Sequence, residues 1–236
     1  MNKIVSSFIF GLALISLAAP HQADALPTLR ISDDLGHSID VRDEVVGEDT
    51  ALGIAGWVGF SGPVGQWLVN TENGFTKPTF STSTSPHLLL SSINQKFSGS
   101  STLTIQFSEV GFVWSSPTTW VATVSGFQET GGVVYQTYLD NNNQLFGTTT
   151  PLTNCGCLIG SPTIANTQIS GPAGGPLFSL TQKITLSSAD ATFKSVGANL
   201  APTPAPVPEP ASLLLLGSGL IGLSGFGFWR RKNNQA

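Results

Sequence analysis

The sequence predicts an all-β protein: a single antiparallel β-sandwich or jelly-roll-like domain over residues 26–200, flanked by an N-terminal signal peptide and a C-terminal transmembrane helix. Three observations predict the domain. Only 10% of the 236 residues are charged, against the usual quarter, while 40% are hydrophobic. Gly (26) and Pro (15) are frequent, so the chain has apolar residues to bury and many places to turn. Apolar and polar residues alternate with period 2 in several runs, and no ten-residue stretch of the body has a clear 3.6 period. The net charge of −4 argues against nucleic acid, because a phosphate-binding surface needs clustered Lys and Arg.

Residues 1–25 read as a secretory signal. Lys3 supplies the positive start, an apolar run follows to Ala19, and Pro20, His21 and Gln22 break it. Ala23-Asp24-Ala25 is a small-x-small site, which predicts cleavage by signal peptidase before Leu26. No Arg-Arg precedes the apolar run and no Cys lies near the cleavage site, so neither twin-arginine export nor a lipid anchor is supported.

Residues 26–200 leave about 175 residues for the body, enough for one domain that buries about 70% of its unfolded surface. Leu103, Ile105 and Phe107 alternate with Thr102, Thr104 and Gln106. Trp120, Ala122 and Val124 alternate with neighbours of the opposite face, and Leu180, Ile184 and Leu186 share a face with Gln182. Turn signals fall at Asn73-Gly74, Gly131-Gly132, residues 140–143 and residues 170–176. They make residues 120–146 a three-strand meander. Many short strands at this spacing suit a sandwich rather than a parallel sheet.

Asp33, Asp34, Asp40, Asp43, Glu44, Glu48 and Asp49 crowd into one stretch. Hard cations take several oxygen ligands, so Ca²⁺ is conceivable there. The spacing matches no EF-hand loop, and the plainer reading is a solvated loop with an edge strand guarded by charge. Otherwise no cofactor is expected. Cys155-Gly156-Cys157 holds both cysteines; a strained disulfide, free thiols and metal or intermolecular links all remain open. The mature part has only His37 and His87, no Gly-x-Ser-x-Gly elbow and no phosphate-binding loop. Glu72, Glu109, Glu129, Asp140 and Asp190 are scattered, so only folding can bring two of them together for hydrolysis. No catalytic residue is therefore assigned. Trp57, Trp67, Trp114, Trp120, Tyr135 and Tyr138 offer flat faces for sugar rings, with core packing the plainer reading for any one of them; Trp57 and Trp67, in glycine-rich surroundings, are the candidates for an exposed pair.

The tail is the most informative part. Residues 201–210 alternate with proline, which forbids helix and leaves an extended spacer of about 30 Å at ~3.1 Å per residue. Residues 211–229 are apolar and span about 28 Å as a helix at ~1.5 Å per residue, close to the ~30 Å hydrocarbon core. Arg230, Arg231 and Lys232 then form a basic stop, expected on the cytoplasmic side in residues 230–236.

Val207-Pro208-Glu209-Pro210, the apolar run and Arg230-Arg231-Lys232, in that order after a secretion signal, closely resemble the PEP-CTERM sorting signal of Gram-negative bacteria. The resemblance covers only about the last thirty residues. It implies processing by exosortase, an inner-membrane enzyme with a Cys nucleophile, near Pro208-Glu209-Pro210. It also implies export through the inner membrane, a transient anchor there, and release to the cell surface, extracellular matrix or biofilm. The body is then expected to be a non-enzymatic surface or matrix protein. The alternatives are a domain that binds exopolysaccharide and a secreted hydrolase.

Overall fold

The computed structural model describes residues 26–96, 99–113, 118–128, 130–153, 157–158, 165–171, 177–189 and 191–202. They form thirteen strands: β1 (Thr28–Asp33), β2 (Ser38–Arg42), β3 (Trp57–Val64), β4 (Trp67–Phe75), β5 (Leu88–Lys96), β6 (Ser101–Phe112), β7 (Thr118–Gln128), β8 (Gly132–Asp140), β9 (Thr150–Pro151), β10 (Cys157–Leu158), β11 (Ala165–Gly171), β12 (Phe178–Ser188) and β13 (Thr192–Pro202). The described residues contain no helix, and so none long and apolar enough to cross a membrane. The expected signal peptide (1–25) and membrane span (211–229) lie outside them.

The strands build two antiparallel sheets. The first runs β10-β8-β12-β6-β1-β2, with β9 also on β8; the second runs β11-β7-β13-β5-β4-β3. From β5 to β8 the chain changes sheet at every step. Then β12 inserts between β8 and β6, and β13 between β7 and β5. The alternation read from the sequence explains the layering. On β6, Leu103, Ile105 and Phe107 are fully buried, while Thr102, Thr104 and Gln106 are half-buried. On β7, Trp120, Ala122 and Val124 face the same interior. Gln182 shares the buried face of β12 because its amide donates to the Leu88 carbonyl (3.1 Å) and to the Tyr135 hydroxyl (3.0 Å).

Two expectations are corrected. Residues 120–146 are not a meander. β7 pairs with β13 and β11 in the second sheet, whereas β8 pairs with β12 in the first. Gly131, at φ 86°, turns the chain across the sandwich instead of back along the same sheet. Residues 141–146 form a loop capped by Asp140, which accepts from Asn142 N (3.1 Å), Gln144 N (3.2 Å) and Thr149 Oγ1 (2.8 Å). Asn73-Gly74 is no turn either: both residues lie within β4. Gly74 faces inward, where a Cβ would come 2.5 Å from the Phe107 ring, so glycine answers a packing need there.

The acidic stretch is more than a solvated loop. β2 is an edge strand and carries the Arg30–Asp40 pair (2.7 Å) on its exposed side, as expected of a guarded edge. Asp43 and Asp49, however, are buried. Asp49 accepts the amides of Ala51 (2.8 Å), Gly59 (2.8 Å) and Glu44 (3.0 Å), and Asp43 accepts that of Gly56 (2.7 Å). These carboxylates satisfy backbone donors that a loop without regular pairing leaves open. Among the described residues, no three His, Cys, Asp or Glu side chains converge as a metal-holding group.

Candidate functional site

The two tryptophans expected as a pair part company. Trp67 is fully buried, with its indole N–H donating to Ser101 Oγ at 2.8 Å. Its place at the start of β4 puts it on the inward face, so it packs core and offers no sugar platform. Trp57 is half-buried on the outer face of the second sheet. It faces Phe75 in register across β3 and β4, with ring centroids 5.2 Å apart at 31°. Its N–H donates to Asn73 Oδ1 at 2.9 Å.

The row continues beyond what the sequence suggested. Phe75 lies 6.3 Å from Phe80, which is 41% exposed, and Phe80 lies 4.4 Å from the His87 ring. His87 Nε2 bonds Asn199 Oδ1 at 2.7 Å, and burial lowers its pKa against the pull of that amide. Phe75, Leu89 and Asn199 occupy one register row across β4, β5 and β13. The result is a strip of rings edged by amides on one outer face. The other histidine among the described residues, His37, closes the β1–β2 turn on Asp33 Oδ2 (2.8 Å).

A second place gathers charge. At one end of the sandwich, residues 26–27, the end of β2, the loop after β4 and the end of β6 enclose a cleft of about 550 Å³. Its lining includes Leu26, Asp43, Lys77, Ser81 and Glu109. The period of β6 places Glu109 there, because it continues the inward face of Leu103, Ile105 and Phe107. Past it the register with β12 shifts between Phe178 and Leu180, and Gly111 takes φ 74°, so Phe112 returns to the core. Asp43 is held by Gly56 N–H on one side, while its own N–H donates to Pro27 O at 3.1 Å. Gly56 needs its small size, since a Cβ there would stand 2.5 Å from the Lys77 carbonyl.

Glu109 Oε1 receives Lys77 Nζ at 3.0 Å. Burial still pushes the Glu109 carboxyl up to about 7, against the charge and hydrogen bond of Lys77. Burial also raises the Asp43 carboxyl. Glu109 Oε2, Asp43 Oδ1 and Ser81 Oγ are buried without a hydrogen-bond partner. Of the scattered acids, then, the fold brings Glu109 to Asp43 instead of to Glu72 or Asp140. Glu72 lies on the inward face of β4 beside Ser92 and Asn94. Glu129 and Asp190 lie outside the described residues.

So do most residues assigned to processing, Ala23 and Ala25, Val207, Pro208, Glu209 and Pro210, Arg230, Arg231 and Lys232, and so does Cys155 of the possible disulfide. Cys157 opens β10 opposite Val134, and its side chain is not described. Leu26 is described: it is 39% exposed, and its carbonyl accepts Thr28 Oγ1 at 2.9 Å.

The fold and the tail together define the class: a two-sheet antiparallel sandwich whose last strand runs into a C-terminal segment of its own. That segment is a sorting signal. The family model described as a PEP-CTERM protein-sorting motif matches residues 206–232, where the sequence resemblance placed it. No curated protein matches the chain. Among solved structures, TmCBM61 in complex with beta-1,4-galactotriose is similar at 8% identity and a TM-score of 0.30, covering 60% of this chain and 92% of that one. The CBM22-1 xylan-binding domain from Paenibacillus barcinonensis Xyn10C is similar at 13% identity and a TM-score of 0.30, covering 67% and 90%. Both likenesses are too loose to bear on what this domain binds.

Proposed function

We propose that this chain is an exported, non-enzymatic surface or extracellular-matrix protein of a Gram-negative bacterium, sorted and cut by exosortase at its C-terminal signal. The PEP-CTERM match at residues 206–232 carries the reading. It begins a few residues after β13 ends at Pro202, so the sandwich hands directly over to the proline spacer. Signal peptidase removes residues 1–25, and residues 211–229 hold the chain in the inner membrane with Arg230, Arg231 and Lys232 inside. The spacer then presents Val207-Pro208-Glu209-Pro210 to exosortase as open, helix-free backbone. Mass spectrometry of the secreted protein, from cells with and without exosortase, tests this. The processed product should end near Pro208-Glu209-Pro210. Recovery of intact Phe228-Trp229-Arg230 on the secreted product would overturn it.

A second reading, that the domain holds extracellular polysaccharide, is favoured by the Trp57–Phe75–Phe80–His87 strip. Rings edged by amides suit a sugar's apolar face and its hydroxyls. The protein should be retained on exopolysaccharide with a change in Trp fluorescence, and Trp57→Ala should weaken retention about tenfold. No retention and no fluorescence change by the wild type would remove this reading while leaving the first intact.

A further inference from the structure

We propose that the cleft of Asp43, Lys77 and Glu109 is an ammonium-binding site, and that its occupant is the α-ammonium group of Leu26. The occupant rests on the export reading, because only removal of residues 1–25 turns the Leu26 nitrogen from an amide into a cation.

The charges of the cleft do not balance. Asp43 and Glu109 bring two carboxylates, and Lys77 brings one ammonium. One oxygen of each carboxylate is engaged, Asp43 Oδ2 by Gly56 N–H (2.7 Å) and Glu109 Oε1 by Lys77 Nζ (3.0 Å). The other two, Oδ1 and Oε2, are buried and unpartnered, and so is Ser81 Oγ on the same wall. Asp49 and Glu44 add negative charge beside Asp43. Buried polar atoms without partners are costly, and buried unpaired charges are costlier. A primary ammonium carries one charge and three N–H donors. That matches the three open acceptors and, with both lining carboxylates ionised, the one charge that Lys77 leaves uncompensated among the lining side chains. A neutral hydroxyl would offer a donor without the charge, and a dication would meet the Lys77 ammonium.

The chain supplies such a group at this spot. Leu26 itself lines the cleft. Its neighbour Pro27 accepts the Asp43 N–H at 3.1 Å, and its own carbonyl accepts Thr28 Oγ1 at 2.9 Å, so residues 26–28 are pinned beside Asp43. Consecutive Cα atoms are only ~3.8 Å apart, so the Leu26 nitrogen is one residue from the Pro27 carbonyl that holds the Asp43 N–H. Before cleavage that nitrogen has one N–H and no charge; after cleavage it has three and a charge. Removing the signal would thus complete the pairing at this end of the sandwich, and the exported form becomes tighter than its precursor.

The test uses the exported chain, residues 26–236, in detergent micelles, released in vitro with Leu26 first or with Ala25 retained ahead of it. The labelling rate of the α-amine is followed against pH with an amine-selective ester, alongside the thermal midpoint. The Leu26 amine should titrate about one unit above the ordinary 7.7–8.0 and label about tenfold more slowly at pH 7 than the Ala25 amine. Asp43→Asn and Glu109→Gln, checked for folding by circular dichroism, should each restore most of the ordinary rate. Equal labelling of the Leu26 and Ala25 chains would overturn the proposal, and that comparison decides even where a variant does not fold. N-terminal sequencing of protein exported by the native cell separately tests cleavage before Leu26. A different native start would remove the occupant in the cell without altering the result for the site itself.

Discussion

Glu72 and Glu109 are both glutamates buried between the sheets, and the fold treats them differently. Glu72 sits on the inward face of β4 with only neutral partners, Ser92 Oγ and Asn94 Nδ2, the latter at 2.9 Å. Burial pushes its carboxyl up to about 8, and both hydrogen bonds only partly oppose that. Glu109 faces a cleft and has the Lys77 ammonium at 3.0 Å, and its carboxyl rises only to about 7. Burial raises both carboxyls, and it raises Glu109 less because Glu109 faces a cleft and has a cation beside it. The cleft also separates their roles. Glu72 belongs with Ser92 and Asn94 to the inward faces of β4 and β5; Lys194 is also buried, on the inward face of β13, where burial lowers it to about 8. Glu109 opens onto space that a ligand can enter.

The comparison breaks first at Glu72. An acid whose folded pKa lies above its unfolded value keeps its proton longer when folded, so stability falls as pH rises from about 4.5 and levels above the folded pKa. At about 1.4 kcal/mol per unit, Glu72 should cost the native state on the order of 5 kcal/mol between pH 4.5 and 8. Glu72→Gln removes that loss, less about 1–2 kcal/mol for amide donors without partners. The variant should be about 1 kcal/mol less stable than wild type at pH 5 and about 3 kcal/mol more stable at pH 9. Denaturant unfolding at the two pH values checks this. Curves that do not cross would show Glu72 ionised in the fold at neutral pH.

Lys77→Met sharpens the comparison by taking the cation away from Glu109, with Asp43 left beside it. Its carboxyl should climb from about 7 towards the 8 of Glu72, which extends the window of falling stability upward in pH. A rise of one unit makes the loss pH-dependent by about 1 kcal/mol at pH 8. That part should vanish at pH 5, where Glu109 is protonated with or without Lys77. A loss independent of pH would assign Lys77 a packing role over the Phe112 ring, 5.5 Å away.

The two glutamates also mark how far the sequence could be read. On β6 the period runs unbroken through Leu103, Ile105 and Phe107, and one further step lands on Glu109. Its burial was therefore legible, though not its neighbours, which come from the end of β2 and the loop after β4. On β4 the same counting fails. Trp67 and Val69 face inward, but the register shifts between Val69 and Thr71, and the inward positions become Glu72 and Gly74. Asn73-Gly74 looks like a turn by its residue types alone, and the bulge is what sets Trp67 apart from Trp57. The sorting tail was legible because its signal is linear: a proline spacer, an apolar span and a basic stop act in sequence order and need no folding to bring them together. The aromatic strip was half legible, since Phe80 and His87 reach it from a loop whose course depends on pairing across the sheet.

The smallest change tests whether neutral donors matter to Glu72 at all. Ser92 sits opposite Glu72 in the β4–β5 register and gives it one of its two hydrogen bonds. Ser92→Ala removes that donor without adding charge, so the carboxyl should move above its present 8, with Asn94 as the only donor left to it. Because protonated Glu72 needs the hydroxyl less than the ionised form does, the cost should be about 1 kcal/mol at pH 9 and close to nothing at pH 5. Paired in one chain with Glu72→Gln, the Ser92→Ala loss at pH 9 should shrink towards its pH 5 value, since the ionised acceptor is gone. An unchanged loss in the double variant would assign Ser92 to packing, and Asn94 would then be the one neutral donor that opposes burial at Glu72.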